Sequence, residues 1–112
     1  MGCNYVERRF ESASGEVLAL FETPYLAPGG EFRCRWRILW PDREHTRETA
    51  GIDGIQALLL AMQTVRLELV ESDLYRAGNL KYLDQSDLDL PPTWGSGSLY
   101  DAGPPPNDAN SG

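Results

Sequence analysis

The sequence predicts an α+β fold: an antiparallel four-stranded meander, one long helix packed on one face of the sheet, and an irregular C-terminal tail. Apolar residues at positions 32, 34, 36, 38 and 40 alternate with arginines at 33, 35 and 37, which is the two-residue period of a half-buried strand. Apolar residues spaced three and four apart between Ile55 and Leu69 have the helical period. From Pro91 onward Pro, Gly, Ser, Asn and Asp dominate, which is typical of a flexible segment. We therefore assign residues 1–90 to a single domain and residues 91–112 to a Pro/Gly/Ser-rich tail.

Four segments before the helix favour strands. The clearest is 32–40, whose arginines are expected on the solvent face. Segment 16–23 is rich in Val, Leu and Phe on both faces and ends at Pro24, so it is a candidate central strand. Segment 5–11 is more weakly patterned, and segment 45–50 alternates polar residues, as at a sheet edge.

The helix is predicted over 54–75. Asp53 is a good N-cap, because its carboxylate can accept from free backbone N–H groups of the first turn, and Gln56 can reach back as in a capping box. Gly78 is the expected stop, after which segment 80–83 could add a short strand. The predicted buried face consists of Ile55, Leu58, Met62, Val65 and Leu69.

A second apolar stripe on the helix needs a cover of its own. Leu60, Leu67 and Leu74 are seven residues apart and lie well round the helix from the first stripe. Either the C-terminal segment folds back over them, or a protein partner or a second copy of the chain covers them.

The charge balance limits the classes of partner. The chain has 17 acidic and 10 basic residues, a net charge of −7, which argues against binding nucleic acid or anionic membranes. Residues 68–112 hold eight of the acidic and only two of the basic residues. This C-terminal third is either a solvated segment or an acidic docking surface for a basic partner.

The cysteines and the N-terminus predict a cytoplasmic protein. Cys3 and Cys34 have neither a metal-binding spacing nor the density of a disulfide framework. The first residues lack the pattern of a signal peptide, and no apolar run is long enough to span a bilayer.

The residues predict neither catalysis nor a metal or other cofactor. His45 is the only histidine, and nothing around it resembles a nucleophile motif. Asp84, Asp87 and Asp89 lack the glycine and spaced glutamate of an EF-hand loop. No pair of carboxylates is singled out for acid–base work.

Two surfaces are candidates for binding a partner. The first combines acidic and aromatic side chains of the C-terminal third: Asp84, Asp87, Asp89, Trp94, Tyr100 and Asp101. The aromatic pair could instead pin the tail onto the domain. The second is the row of Arg33, Arg35 and Arg37, which either pairs across strands with glutamates (Glu16, Glu22, Glu44 or Glu48) or binds an acidic partner.

The segment Gly51-Ile52-Asp53-Gly54-Ile55-Gln56-Ala57-Leu58, following a strand with Cys34-Arg35-Trp36-Arg37-Ile38, resembles a family of small uncharacterised bacterial proteins. In that family a strand meander precedes a helix that opens with this pattern. The resemblance covers about residues 5–83 and implies the fold; the tail departs from it.

In general character the chain is also similar to the immunity proteins that neutralise bacterial toxins. We therefore expect a non-enzymatic module that binds a protein, a basic toxin domain in particular. The alternatives are a structural or regulatory homodimer, joined through Leu60, Leu67 and Leu74, and a small uncharacterised enzyme.

Overall fold

The computed structural model describes residues 4–91, which form a mixed α+β fold with an antiparallel sheet and one main helix. The elements in chain order are β1 (Tyr5–Ser12), β2 (Val17–Glu22), β3 (Tyr25–Leu26), β4 (Phe32–Leu39), β5 (Glu44–Gly51), α1 (Gly54–Val70), α2 (Asp73–Arg76) and β6 (Leu80–Lys81).

The sheet has six strands, so the prediction of a four-stranded meander is wrong in number. The four long strands lie side by side in the order β1-β2-β4-β5, each antiparallel to its neighbour. Pro24, which has no N–H to donate, separates β2 from the two-residue β3, and β3 pairs with the beginning of β4. β6 pairs with the end of β1, within the segment where a further short strand was considered.

The core lies between the sheet and α1. Cys34, Trp36 and Ile38 of β4 are buried, whereas the arginines between them are not, which confirms the alternation. Phe21 of β2 pairs with Trp36 and Ala19 pairs with Ile38, so the buried faces of the two strands are in register. The side of the sheet that carries these residues is called the inner face below, and the other side the outer face.

The start of α1 is as predicted. The Asp53 carboxylate accepts a hydrogen bond from the Gln56 backbone N–H at 2.8 Å, and the Gln56 side chain accepts from the Ile52 N–H at 2.8 Å. α1 passes very close to the end of β5. A Cβ added at Gly51 would lie only 2.6 Å from the backbone nitrogen of Ala57. The Thr49 hydroxyl on β5 donates to the Ala57 carbonyl at 3.0 Å.

This close approach decides which side of α1 is buried. The fully buried helix residues are Ala57, Ala61, Val65 and Leu69, of which the last two were predicted. Leu58 and Met62 are only partly buried, and Ile55 is 73% exposed, so its placement in the core was wrong. Small side chains let the helix backbone sit close to β5, and the larger ones turn toward β1 and β2.

α1 ends at Val70 rather than at residue 75. The Ser72 hydroxyl donates to the Leu69 carbonyl at 2.6 Å and accepts from the Tyr75 N–H at 3.2 Å. It therefore caps the short α2, because a serine side chain competes with the helical backbone for hydrogen bonds. Gly78, with φ +76°, ends α2 instead of α1.

Candidate functional site

A tight turn at Leu83 and Asp84 is exposed in the described part of the acidic C-terminal third. The backbone N–H groups of Tyr82 and Gln85 donate to each other's carbonyls at 2.9 and 3.0 Å. Leu83 and Asp84 have φ of +49° and +68°, an uncommon conformation for residues other than glycine. Leu83 is 53% exposed, and Asp84 is exposed. The turn thus holds an apolar and an acidic side chain together at the surface.

The other two aspartates of the segment are less accessible. The Asp87 carboxylate, on a half-buried residue, accepts a hydrogen bond from the Asp89 N–H at 2.8 Å. Asp89 is 8% exposed, with φ +57°, between the buried Leu88 and Leu90. The structure therefore places the three aspartates on one segment but leaves only Asp84 fully at the surface.

Arg8 of β1 anchors this segment, and the sequence reasoning missed it. Its guanidinium donates to the backbone carbonyls of Asp89 and Leu88 and lies 3.7 Å from the Asp89 carboxylate. It also stacks over the Tyr82 ring, 4.5 Å from the ring centroid. The signal in the sequence was the charged residue between Val6 and Phe10, on the side of β1 that faces the core. That charge also explains why β1 was weakly patterned.

The remaining members of the predicted acidic and aromatic surface, Trp94, Tyr100 and Asp101, lie outside the described residues 4–91.

The arginines of β4 lie on the outer face and form ion pairs across to β5. Arg33 and Arg35 both contact Glu48, with N–O distances of 3.5 and 3.3 Å, and Arg37 lies 3.4 Å from Glu44. The predicted cross-strand pairing is thus confirmed for these two glutamates. Arg33 also forms a shorter ion pair, of 2.7 Å, with Glu31, the residue directly before β4.

Glu48 is the centre of a charge-compensated network. The Tyr25 hydroxyl donates to its carboxylate at 2.7 Å and is the main reason that the pKa of Glu48 is lowered; the neighbouring Arg33 and Arg35 add to the effect. The same bond raises the pKa of Tyr25. Arg33 and Arg35 thus face carboxylates, which compensate much of their charge.

Beside this network the outer face has a hollow of about 380 Å³. Apolar side chains of β2 and β4 (Leu18, Leu20 and Leu39) line it together with Arg35 and Arg37 and with glutamates of β1 and β2 (Glu7 and Glu22). The hollow is the concave part of the second candidate surface, the face that carries Arg33, Arg35 and Arg37.

The three leucines considered for self-association do not form one continuous stripe. Leu60 and Leu67 are 38% and 51% exposed on α1, two turns apart. Leu74 belongs to α2, which begins after the break at Ser72, and it packs partly against the core. Leu60 and Leu67 are therefore the two of these leucines that α1 exposes to a second copy.

Cys34 and His45 both lie on the inner side of the sheet. Cys34 is buried, and burial raises the pKa of its thiol to about 11, so the thiol is protonated at neutral pH. His45 lies on β5 with its ring 5.5 Å from that of Trp36. Within residues 4–91 no group of three or more His, Cys, Asp or Glu residues could hold a metal ion. Neither described helix is long and apolar enough to cross a membrane.

Comparison with protein families places the chain. The model of DUF6968, a domain of unknown function, matches residues 6–92. The chain belongs to the DUF6968 family. This agrees with the expected resemblance to an uncharacterised family. No curated protein and no solved structure matches the chain.

Proposed function

We propose that this DUF6968 protein is a non-enzymatic binding module that neutralises a basic bacterial toxin domain by covering its active site. The observation that carries the proposal is the turn at Leu83 and Asp84. It presents an apolar and an acidic side chain from a backbone already fixed by the Tyr82–Gln85 hydrogen bonds. A pre-ordered contact loses little conformational entropy on binding.

The charge of the C-terminal third supports the same proposal. Residues 68–112 hold eight acidic and two basic side chains, a distribution that attracts a basic protein and speeds their encounter. Asp84, Asp87 and Asp101 supply this attraction, and Trp94 and Tyr100 hold the complex once it has formed. Asp89 acts indirectly: its segment is fixed by Arg8, which keeps the turn in place.

The experiment that tests this role first searches the products of the neighbouring genes for a toxin domain. It then measures binding to that domain by biolayer interferometry over a range of salt concentrations. In the full chain, Asp84→Asn with Asp101→Asn is expected to slow association several-fold and to flatten its salt dependence. Trp94→Ala is expected to raise the off-rate and to cost about 2 kcal/mol or more.

The matched control removes the same number of charges elsewhere. Glu11→Gln with Asp42→Asn changes two exposed carboxylates outside residues 68–112 and should slow association much less. Equal slowing by both pairs would show that net charge alone acts and would contradict a specific acidic surface.

Self-association is the second candidate function, favoured by the exposure of Leu60 and Leu67 on one side of α1. Two copies could bury these leucines across a two-fold axis. If they do, light scattering should show a dimer of the full chain, and Leu67→Glu should convert it to a monomer. A monomer before any substitution would contradict this candidate.

A further inference from the structure

The inner face of the sheet is not covered evenly. α1 packs mainly on β5 and β4 and less on β2. The end of β1 is covered by the segment that follows β6: Phe10 packs edge-on against Tyr82, and Arg8 binds the carbonyls of Leu88 and Asp89. Val6, at the beginning of the strand, remains 60% exposed.

Two adjoining hollows lie beside Val6. One, of about 220 Å³, is lined by Val6, Phe21, Pro24 and Leu58, and the other, of about 170 Å³, by Val6, Phe21, Met62 and Pro91 among others. Because they share Val6 and Phe21, they form one apolar trough between β1 and α1. This trough is called the β1 groove below.

The described chain ends in the wall of this groove. Leu90 and Pro91 are buried, line the second hollow, and follow the part of the segment that Arg8 anchors. Trp94 comes three residues after Pro91, a distance that an extended chain covers in about 10 Å. A large aromatic side chain is therefore within reach of an open apolar site, close to the point where the described residues end.

We propose that the indole of Trp94 docks in the β1 groove and covers Val6, Leu58 and Met62. An indole suits the site because it buries a large apolar area and keeps one N–H donor. The groove offers an acceptor for that donor at its rim, since Asn4 lines the first hollow. The other chain segment that begins nearby, residues 1–3, lacks an aromatic side chain.

This inference does not depend on the proposed partner, because it concerns the isolated chain. Docking of Trp94 would fix the point from which Tyr100 and Asp101 extend. Loss of Trp94 would then weaken partner binding through the position of these residues, whether or not the indole itself touches the partner.

The test is methyl NMR of the full chain labelled at Val, Leu and Met. Contact with the indole predicts cross-relaxation between the Trp94 ring and the methyl groups of Val6 and Met62. Ring currents also predict that Trp94→Ala shifts the methyl resonances of Val6, Leu58 and Met62. Tyr100→Ala is the matched control and should leave these three resonances in place.

A reciprocal variant tests the groove from its other side without threatening the core. Val6→Asp changes a side chain that is already mostly exposed and should make the 5-fluorotryptophan resonance of Trp94 move to the position found in a short tail peptide. Leu67→Asp, a similar change on an exposed part of α1, should not move it.

The proposal would be overturned if Trp94→Ala left the three methyl resonances unchanged. It would also be overturned if those resonances moved on dilution, which would identify a second copy as the occupant, or only on deletion of residues 1–3. Because no partner is present in these samples, such a result would neither support nor contradict the toxin-binding proposal, which the interferometry experiment tests.

Discussion

Arg8 shows how a single side chain can determine the geometry of the acidic segment. It contributes hydrogen bonds to two backbone carbonyls, an ion pair with Asp89 and a stacking contact with Tyr82. The Asp89 carboxylate is almost fully buried, so its ion pair with Arg8 is screened less by solvent than an exposed pair is. Arg9, the next residue, forms ion pairs with Glu7 and Glu16 that remain in solvent.

Arg8→Met should therefore destabilise the protein by about 1–2 kcal/mol, since hydrogen bonds to charged groups are among the stronger ones. Arg9→Met serves as the matched control and should have little effect, because exposed ion pairs are screened by water. Urea denaturation followed by circular dichroism measures both variants. Equal midpoints for the two would contradict the anchoring role of Arg8.

The contact between β5 and the start of α1 sets the rotation of the helix. The backbone of Ala57 lies so close to Gly51 that no larger residue fits there without movement. Gly54, three residues later, is different: an added Cβ would be 3.6 Å from the Pro24 side chain, an ordinary contact. Gly51 therefore has a steric reason to be glycine, whereas the space around Gly54 would accept an alanine.

Gly51→Ala should destabilise the fold by about 1–3 kcal/mol, the usual range for overpacking. Gly54→Ala should instead stabilise it by about 0.4–1 kcal/mol, because alanine favours the helix and restricts the unfolded chain. Thermal unfolding of both variants checks the contrast. A Gly51→Ala protein as stable as the parent would show that α1 does not need this close approach.

These elements also show how far the sequence could predict the fold. The alternation along β4 and the Asp53–Gln56 cap are local patterns, and both are present in the structure. The exposure of Ile55 depends on the close approach at Gly51, and the end of α1 depends on the Ser72 hydroxyl. Both are results of tertiary packing or of competition between hydrogen bonds, which periodicity does not report.

At the scale of the whole molecule, the acidic C-terminal third divides into parts with different roles. Arg8 and the buried leucines attach residues 82–91 to the sheet, and Asp84 remains exposed on the turn. The sequence indicated the acidity but not this division, because the anchoring cation lies on β1, some 80 residues earlier in the chain. The proposed binding surface thus consists of an anchored turn and the chain that follows it.

The most direct test of the central claim, that the C-terminal segment is the surface that binds the partner, is a truncation after Leu90 assayed for toxin binding. Circular dichroism first establishes that residues 1–90 are folded, and a full-length variant carrying Trp94→Ala and Tyr100→Ala is measured alongside. We expect both proteins to bind at least about tenfold more weakly than the parent, since hot-spot aromatics contribute about 2 kcal/mol or more. Undiminished binding and protection by residues 1–90 would contradict a role for residues 91–112, Trp94 and Tyr100 included. Asp84→Asn in the truncated protein would then decide between the turn at Leu83 and Asp84 and the face formed by Arg33, Arg35 and Arg37.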